Sequence, residues 1–157
     1  MKYEVKNVKA FIGREGHGFA CTVYKDGKKI GEAVDTAGGG PVDFRWSERI
    51  SEIELEAHVL TLPKIKAFGE EYDQTLDTFI TGLVSRYEFY KKMRIYCKKS
   101  WLYRLKNGKV MGYSKKYTRE AIELVLEDKF IDCVNDNMEG VYEWLMSQEE
   151  GKKTPLL

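Results

Sequence analysis

The stretch that decides the fold is "FACTVYKDGKKIGEAVDTAGGGPVDFRW", residues 19–46. In residues 19–24 the apolar side chains recur at every second position, which predicts a strand with one apolar face. Asp26-Gly27 predicts a tight turn with positive φ values that leads into a second strand, "KKIGEAV". "VDFRW", residues 42–46, alternates again and predicts a strand with its aromatic residues on one side.

The residues before this stretch extend the same pattern. "KYEVKNVKAFI", residues 2–12, alternates as a strand, and a phase slip near Asn7 predicts a bulge or bend. "GREGHG", residues 13–18, is predicted to be a loop. Residues 1–46 therefore predict a four-stranded antiparallel meander with one apolar face and one solvated face.

Three consecutive glycines, Gly38, Gly39 and Gly40, interrupt the meander. A phosphate-binding loop needs a glycine-rich turn that opens a helix, because the helix N-terminal amides hold the anion. Here Pro41 and a strand follow instead. The sequence therefore predicts a flexible hinge between an edge strand and residues 42–46, with a partner-contact loop as the alternative.

Two helices are predicted after the meander. The first has Ser47 as its N-cap and Pro63 just beyond its end. Residues 64–74 are predicted to be a charged linker, and residues 76–99 a long amphipathic helix. The apolar residues of the first helix recur at helical spacing and are expected to face the core: Ile50, Ile53, Ala57 and Leu60.

The last part of the chain begins with a second hairpin, residues 101–114, with an Asn-Gly turn. A helix capped by Thr118 follows, then a short strand at 130–134 and a last helix at 138–150. Residues 151–157 are predicted to be a flexible tail. The apolar side of the helix after Thr118 is predicted from four residues: Ala121, Ile122, Val125 and Leu126.

The predicted fold class is α+β, in which an N-terminal antiparallel meander packs on a long helix and precedes a basic hairpin and C-terminal helices. Residues 1–150 are predicted to form one domain with halves at 1–62 and 75–150. The chain has 157 residues, of which 43% are hydrophobic, so it can form a real core. No signal-peptide run or membrane-length apolar stretch is present, which predicts a cytoplasmic protein.

Catalytic candidates are few. His17 lies between two glycines, and His58 follows Glu54 by one helical turn, a spacing that permits an acid–base or metal pair. Asp35 and Asp43 with Lys28 are an alternative, nuclease-like cluster, although their spacing does not specify a common site. The three cysteines lack the spacing of a zinc site and are predicted to be buried thiols: Cys21, Cys97 and Cys133. No cofactor and no metal are predicted, and the chain is expected not to be an enzyme.

Residues 86–119 hold the strongest electrostatic signal. They carry twelve Lys or Arg against one acid, Glu88, in a chain whose net charge is only +1, and they include eight aromatic residues. In the hairpin, Trp101, Tyr103 and Leu105 are expected to face the core, which would place Arg104 and Lys106 on the exposed face. The predicted partner-binding residues are Lys91, Arg94, Lys98, Arg104, Lys106, Lys109, Lys115, Lys116 and Arg119.

Two stretches resemble a group of small uncharacterised proteins of bacteriophages and prophages. One is "KNVKAFIGREGHGFACTVYKDGKKIGEAVDTAGGGPVDFRW", with its glycine-rich turn before an aromatic strand. The other is "YCKKSWLYRLKNGK", with a Cys-Lys pair before an aromatic-Arg-Leu hairpin. The resemblance covers most of the first 130 residues, implies a phage-type accessory protein in a bacterial host cytoplasm, and carries no known activity.

The function predicted from these features is that of a non-enzymatic protein that binds and inhibits a host nucleic-acid-handling or defence complex, such as a CRISPR effector. Its basic, aromatic surface would meet either nucleic acid or an acidic protein patch. A module that binds DNA or RNA directly is the first alternative, and a small metal-dependent nuclease is the second. The oligomeric state stays open at this point.

Overall fold

The computed structural model describes residues 1–67 and 69–148. The chain divides into two compact units, Met1–Glu88 and Phe89–Leu157. The boundary falls inside the long helix and not in the segment between the two predicted halves. Helices and antiparallel sheets are both present, so the predicted α+β class is confirmed. Within the described residues, no helix is both long and apolar enough to cross a membrane.

The first unit is built on a four-stranded antiparallel sheet whose strands lie in chain order, so the predicted meander is confirmed. A bulge lies between Lys6 and Lys9, where Asn7 has a φ of 54°, as the phase slip predicted. Asp26 and Gly27 form the predicted turn, with φ values of 48° and 84°. The strands are β1 (Tyr3–Gly13), β2 (Gly16–Lys25), β3 (Lys28–Asp35) and β4 (Asp43–Trp46).

The predicted loop at residues 13–18 is wrong, because β1 and β2 continue until Gly13 pairs with Gly16. Only two residues turn the chain. The backbone N–H of Glu15 then donates to the carbonyl of Ala37 at 2.8 Å. A Cβ on Gly13 would lie 2.6 Å from the Ala37 Cβ, so glycine is what lets this hairpin end approach the segment after β3.

The first helix, α1 (Arg49–Val59), begins later than predicted. Glu48 is its N-cap and makes no side-chain capping bond. The prediction that Ser47 caps it is wrong. The Ser47 N–H instead donates to the carbonyl of Ile30 at 2.8 Å, which continues the bonding of β4 to β3.

The predicted apolar face of α1 is also wrong. Leu55 and Val59 face the sheet and are buried, whereas Ile50 and Ile53 are 54% and 51% exposed. Ser51 shares the buried face. Both faces of α1 carry aliphatic residues, so helical spacing alone does not identify the buried one.

Residues 64–74 are not a plain linker, because they contain two short antiparallel strands, β5 (Ile65–Ala67) and β6 (Glu70–Tyr72). The long helix, α2 (Leu76–Lys99), has the predicted bounds. Thr75 and Thr78 begin it reciprocally, since each side-chain hydroxyl accepts from the other's backbone N–H, at 3.2 and 2.8 Å. The stripe of α2 that belongs to the first unit packs on its core: Leu76, Phe79, Ile80, Leu83, Val84 and Tyr87.

The second unit has a three-stranded antiparallel sheet with β7 in its centre. The predicted hairpin, the strand after residue 129 and the last helix are confirmed, but residues 149–157 lie outside the described part. The Thr118 cap is confirmed too, because its hydroxyl accepts from the Ala121 N–H. The elements are β7 (Ser100–Leu105), β8 (Val110–Ser114), α3 (Arg119–Leu126), β9 (Phe130–Cys133) and α4 (Met138–Gln148).

Both faces of β7 are covered, which decides where its side chains go. Leu102 packs with residues of α2 and α4, whereas Tyr103 and Leu105 pack with Ile122 and Leu126 of α3. The predicted apolar side of α3 is therefore only half right: Ala121 and Val125 are exposed. The expectation that one face of this hairpin strand is exposed to solvent is therefore wrong for β7.

Candidate anion-binding surface

The C-terminal half of α2 has one buried side and one exposed side. Met93 and Cys97 face the core of the second unit. At about 100° per residue, Ile95 lies in the middle of the opposite, exposed side, and Tyr96 lies near its margin. Five exposed cations surround these two residues and are called the α2 basic face: Lys91, Lys92, Arg94, Lys98 and Lys99.

None of these five cations makes an ion pair within the described residues. Lys98 and Lys99 lie in the last turn, where a positive charge offsets the partial negative charge of the helix C-terminus. The Lys92 ammonium lies 6.0 Å from the centre of the Tyr96 ring. The face therefore presents positive charge together with apolar and aromatic surface.

The open end of the β7–β8 hairpin adds two more cations. Ser100 pairs with Ser114, so Lys99 and Lys115, their neighbours along the chain, lie at the same end of the hairpin. The Lys115 ammonium lies 4.4 Å from the centre of the Trp101 ring. Burial raises the pKa of the Cys97 thiol, Cys133 raises it further, and the Lys115 charge lowers it.

Lys116 and Tyr117 follow directly, and both are exposed. An open concavity of about 380 Å³ lies between Trp101 and residues 115–120. The α2 basic face together with Lys115 and Lys116 is called the basic cluster below. Its seven cations are accompanied by three aromatic rings that keep part of their surface in solvent: Tyr96, Trp101 and Tyr117.

Arg104 does not belong to this cluster, and the prediction that it lines an exposed face is wrong. Its Nε and Nη2 donate to the two carboxylate oxygens of Asp132 at 2.9 and 2.7 Å. Its guanidinium lies 5.4 Å from the centre of the Trp144 ring. The side chain is only 13% exposed, because α4 covers this face of β7.

Arg119 lines the same concavity but is paired with acids, and the cations near the hairpin turn lie away from the cluster. Arg119 bonds Glu123 at 2.7 Å and Asp136 at 2.6 Å, and these bonds raise its pKa further. Lys106 lies 3.8 Å from Asp128. Six residues of strand separate Lys106 from the open end of the hairpin, a distance of about 20 Å. Lys109, in the same turn, is exposed.

The structure does not form the Glu54–His58 pair that the spacing permits. Glu54 accepts from the Lys25 ammonium at 2.6 Å. The His58 ring packs against two aromatic rings, with centroid distances of 4.8 Å to Tyr3 and 5.7 Å to Phe79. His58 is therefore part of the packing between α1, β1 and α2. His17 is exposed in β2, next to the two-residue turn.

The nuclease-like cluster is not brought together either. Lys28 and Asp35 lie at opposite ends of β3, about 23 Å apart along the strand. Asp35 accepts from the backbone N–H of Ala37 at 2.8 Å, and Asp43 pairs with Val34. In the described part of the chain, no three His, Cys, Asp or Glu side chains are grouped so that they could hold a metal ion.

The glycine run lies between two fixed points. Before it, Ala37 is held by Asp35 and by the β1–β2 hairpin end, and after it the Val42 N–H donates to Asp77 at 3.1 Å. The three glycines between them are exposed, and Gly39 has a φ of 77°. The predicted edge strand before the run is wrong, since β3 lies between β2 and β4.

The three cysteines are buried and unbonded, as predicted. Burial raises the pKa of the Cys21 thiol to about 11 and also raises the pKa of the Cys133 thiol. Thiols with raised pKa values are poor nucleophiles at neutral pH, because the thiolate is the reactive form. The basic cluster, by contrast, can attract anions by its charge and stack on planar groups through its aromatic rings.

Sequence reasoning missed the β7–β9 pairing that neutralises Arg104. Its one signal was that "YRL" and "FIDC" carry opposite charges at equivalent places in two predicted strands.

A scan against protein-family models, a search of curated proteins and a search of solved structures each returned no match to this chain.

Proposed function

We propose that this chain is a non-enzymatic binding protein that inhibits a host nucleic-acid-handling or defence complex through the basic cluster. The observation that carries the proposal is the set of seven exposed cations without ion pairs in the described residues. The likeness to phage and prophage proteins supports a host complex as the target. The anionic component of such a complex is its nucleic acid or an acidic patch of its protein.

Repulsion among the cations of the basic cluster favours the binding of an anionic partner. Like charges gathered on one surface destabilise a folded chain, and an anionic partner removes that repulsion. A phosphate backbone alone would need only cations, yet Ile95 lies in the middle of the α2 basic face and Tyr96 beside it. The partner is therefore expected to offer apolar or planar groups as well as negative charge.

The test is the plating efficiency of a phage on bacteria that carry a nucleic-acid-guided defence system. Expression of the protein is expected to raise plating, and neutralising part of the cluster is expected to abolish that gain. The cluster variant is Lys91→Gln/Arg94→Gln/Lys98→Gln.

A matched control removes three exposed cations of the first unit, Lys9→Gln/Arg14→Gln/Lys28→Gln, and so loses the same charge. It is expected to protect the phage as the unaltered protein does. Equal loss in both variants would mean that only net charge matters. No protection, together with no complex recovered from the defended cells, would overturn the proposal.

Direct binding of single-stranded DNA or RNA is a second candidate, favoured by Tyr117. This ring is 64% exposed and adjoins Lys116, so it can stack on an unpaired base. Fluorescence anisotropy with labelled single strands would then show affinity that falls steeply with salt. Each cation that is removed from the binding surface would reduce the steepness of that salt dependence by about 0.7. Absence of binding at low salt would leave only the first candidate.

A further inference from the structure

A second surface of the molecule is apolar although it faces solvent. On α1 and its C-cap, one side presents Ile50, Ile53, Ala57 and Leu60, and Leu60 is 75% exposed. These four residues are called the α1 apolar face. The opposite side of α1 already fills the core through Leu55 and Val59. A helix that is apolar on two sides needs a second cover, and a contiguous exposed apolar patch of this kind marks an interaction site.

The margins of the α1 apolar face carry three acids and one exposed cation, Arg49, so they are mainly acidic. At helical spacing, Glu52 and Glu56 lie along one margin together with Arg49, and Glu54 lies along the other. Glu54 is bonded to Lys25, but no ion pair joins Glu52 or Glu56 to a cation within the described residues. The face therefore fits a partner with an apolar centre and basic margins.

We propose that this partner is a second copy of the chain, whose α2 basic face covers the α1 apolar face. Ile95 of one copy would pack among the aliphatic residues of α1 in the other. Cations on both sides of Ile95 would meet the acidic margins of α1. The contact is head-to-tail, since it joins two different surfaces.

The two faces also match in length. Residues 50–60 extend over about 15 Å of helix, and residues 91–99 over about 12 Å. Pairing of α1 with α1 of another copy is disfavoured, because it would place Glu52 and Glu56 against the same acids. The complementary charges therefore select the mixed contact over the symmetric one.

This inference goes beyond the proposed function but uses the same α2 basic face. Self-association and binding of an anionic partner would compete for that face. Ile53 lies far from the basic cluster in sequence and carries no charge, so its substitution separates the two ideas. Ile53→Asp is expected to abolish self-association while plating protection is retained.

Sedimentation velocity over roughly a hundredfold range of protein concentration tests the contact. The unaltered chain is expected to associate as concentration rises, and less so at high salt, because the margins are charged. Ile53→Asp and Ile95→Asp are each expected to weaken association about tenfold or more, as when an interface anchor is removed. Leu124→Asp changes an even more exposed aliphatic residue, on α3, and is expected to leave association unchanged.

Mixing the two defective variants gives the decisive measurement. Ile53→Asp retains an intact α2 basic face, and Ile95→Asp retains an intact α1 apolar face, so the mixture is expected to form a one-to-one dimer. A chain that stays monomeric at every concentration would overturn the proposal. A mixture that does not associate would also overturn it. If Ile53→Asp alone had abolished association, that result would indicate α1–α1 pairing. Circular dichroism checks that each variant is folded.

Discussion

Replacement of Arg104 tests whether this cation serves the fold or a partner. Its guanidinium makes two hydrogen bonds to Asp132, and its Nη1 donates a longer one, 3.4 Å, to the carbonyl of Gly140. It also lies against the Trp144 ring. Arg104→Ala removes all of these interactions at once, whereas Arg104→Lys keeps the charge but cannot form the two-pronged contact with the carboxylate.

The expected loss in the free energy of unfolding arises because the Asp132 carboxylate would lose the positive charge that compensates it. Removing one member of a buried ion pair costs about 3–5 kcal/mol, because the other charge is left without compensation. Asp132 is 20% exposed and still accepts from Asn137 at 2.8 Å, which favours the lower end, about 3 kcal/mol. For Arg104→Lys, the loss of one charge-assisted hydrogen bond gives about 1.5 kcal/mol.

Urea unfolding, followed by tryptophan fluorescence, measures this cost. In a Trp46→Phe background the remaining tryptophans, Trp101 and Trp144, both lie in the second unit. A loss of about 3 kcal/mol is expected to lower the midpoint by roughly 1.5 M urea, for a slope near 2 kcal/mol/M.

Lys106→Ala is the control, since its pair with Asp128 is solvent-exposed and is expected to contribute less than about 1 kcal/mol. An unchanged midpoint for Arg104→Ala, together with weaker partner binding, would refute the structural role of Arg104.

Three further measurements check the core, the sheet and the first helix. Burial raises the Cys21 pKa to about 11, so keeping this thiol neutral stabilises the fold below its ordinary pKa of 9.0. That stability is lost as pH rises from 9 to 11, and Cys21→Ala should reduce the loss by up to about 2 kcal/mol in urea midpoints. Gly31→Ala should lower the free energy of unfolding by about 2 kcal/mol, since a Cβ would lie 2.8 Å from a β4 carbonyl. Gly40→Ala, where a Cβ would meet open space, should lower it little. Equal losses in the two variants would contradict this packing. Leu55→Ala should lower stability by about 3 kcal/mol and Ile53→Ala by less than 1 kcal/mol, and the reverse order would show that the helix faces are assigned wrongly.

The strands and turns of the first unit could be predicted because their signals are local. A period-two pattern identifies most of the strand residues, and the Asp26-Gly27 pair identifies the turn between β2 and β3. Asn7 shows how fine this resolution is, since one phase slip placed the bulge. What the local pattern could not show is that Gly13 pairs with Gly16, because a two-residue turn of ordinary residues has no distinctive composition.

The face of α1 could not be predicted for a different reason. Ile50 and Ile53 give the stronger apolar pattern, yet Leu55 and Val59 are buried. Which side meets the sheet depends on tertiary packing, in which Leu55 and Val59 join the core cluster of the sheet. Sequence periodicity reports that a helix is amphipathic, but it cannot rank two apolar sides.

The charge of residues 86–119 illustrates the same limit for the candidate site. Along the sequence twelve cations meet one acid, but residues 89–148 hold twelve cations and eight acids. Acids that follow in the sequence, among them Asp132 and Asp136, return to Arg104 and Arg119 once β9 pairs with β7. A run of charge in sequence is therefore not yet a charged surface.

Topology decides which cations stay available to a partner. A cation on a central strand covered on both faces must find an acid, because an unpaired buried charge costs several kcal/mol. Arg104 is in that position. A cation on the outer side of a helix keeps its hydration and needs no acid, and Lys91, Arg94 and Lys98 are in that position. Of residues 86–119, the cations available to a partner are thus those that the strand order leaves exposed to water. The exposed apolar residue among them, Ile95, distinguishes this surface from an ordinary solvated helix face.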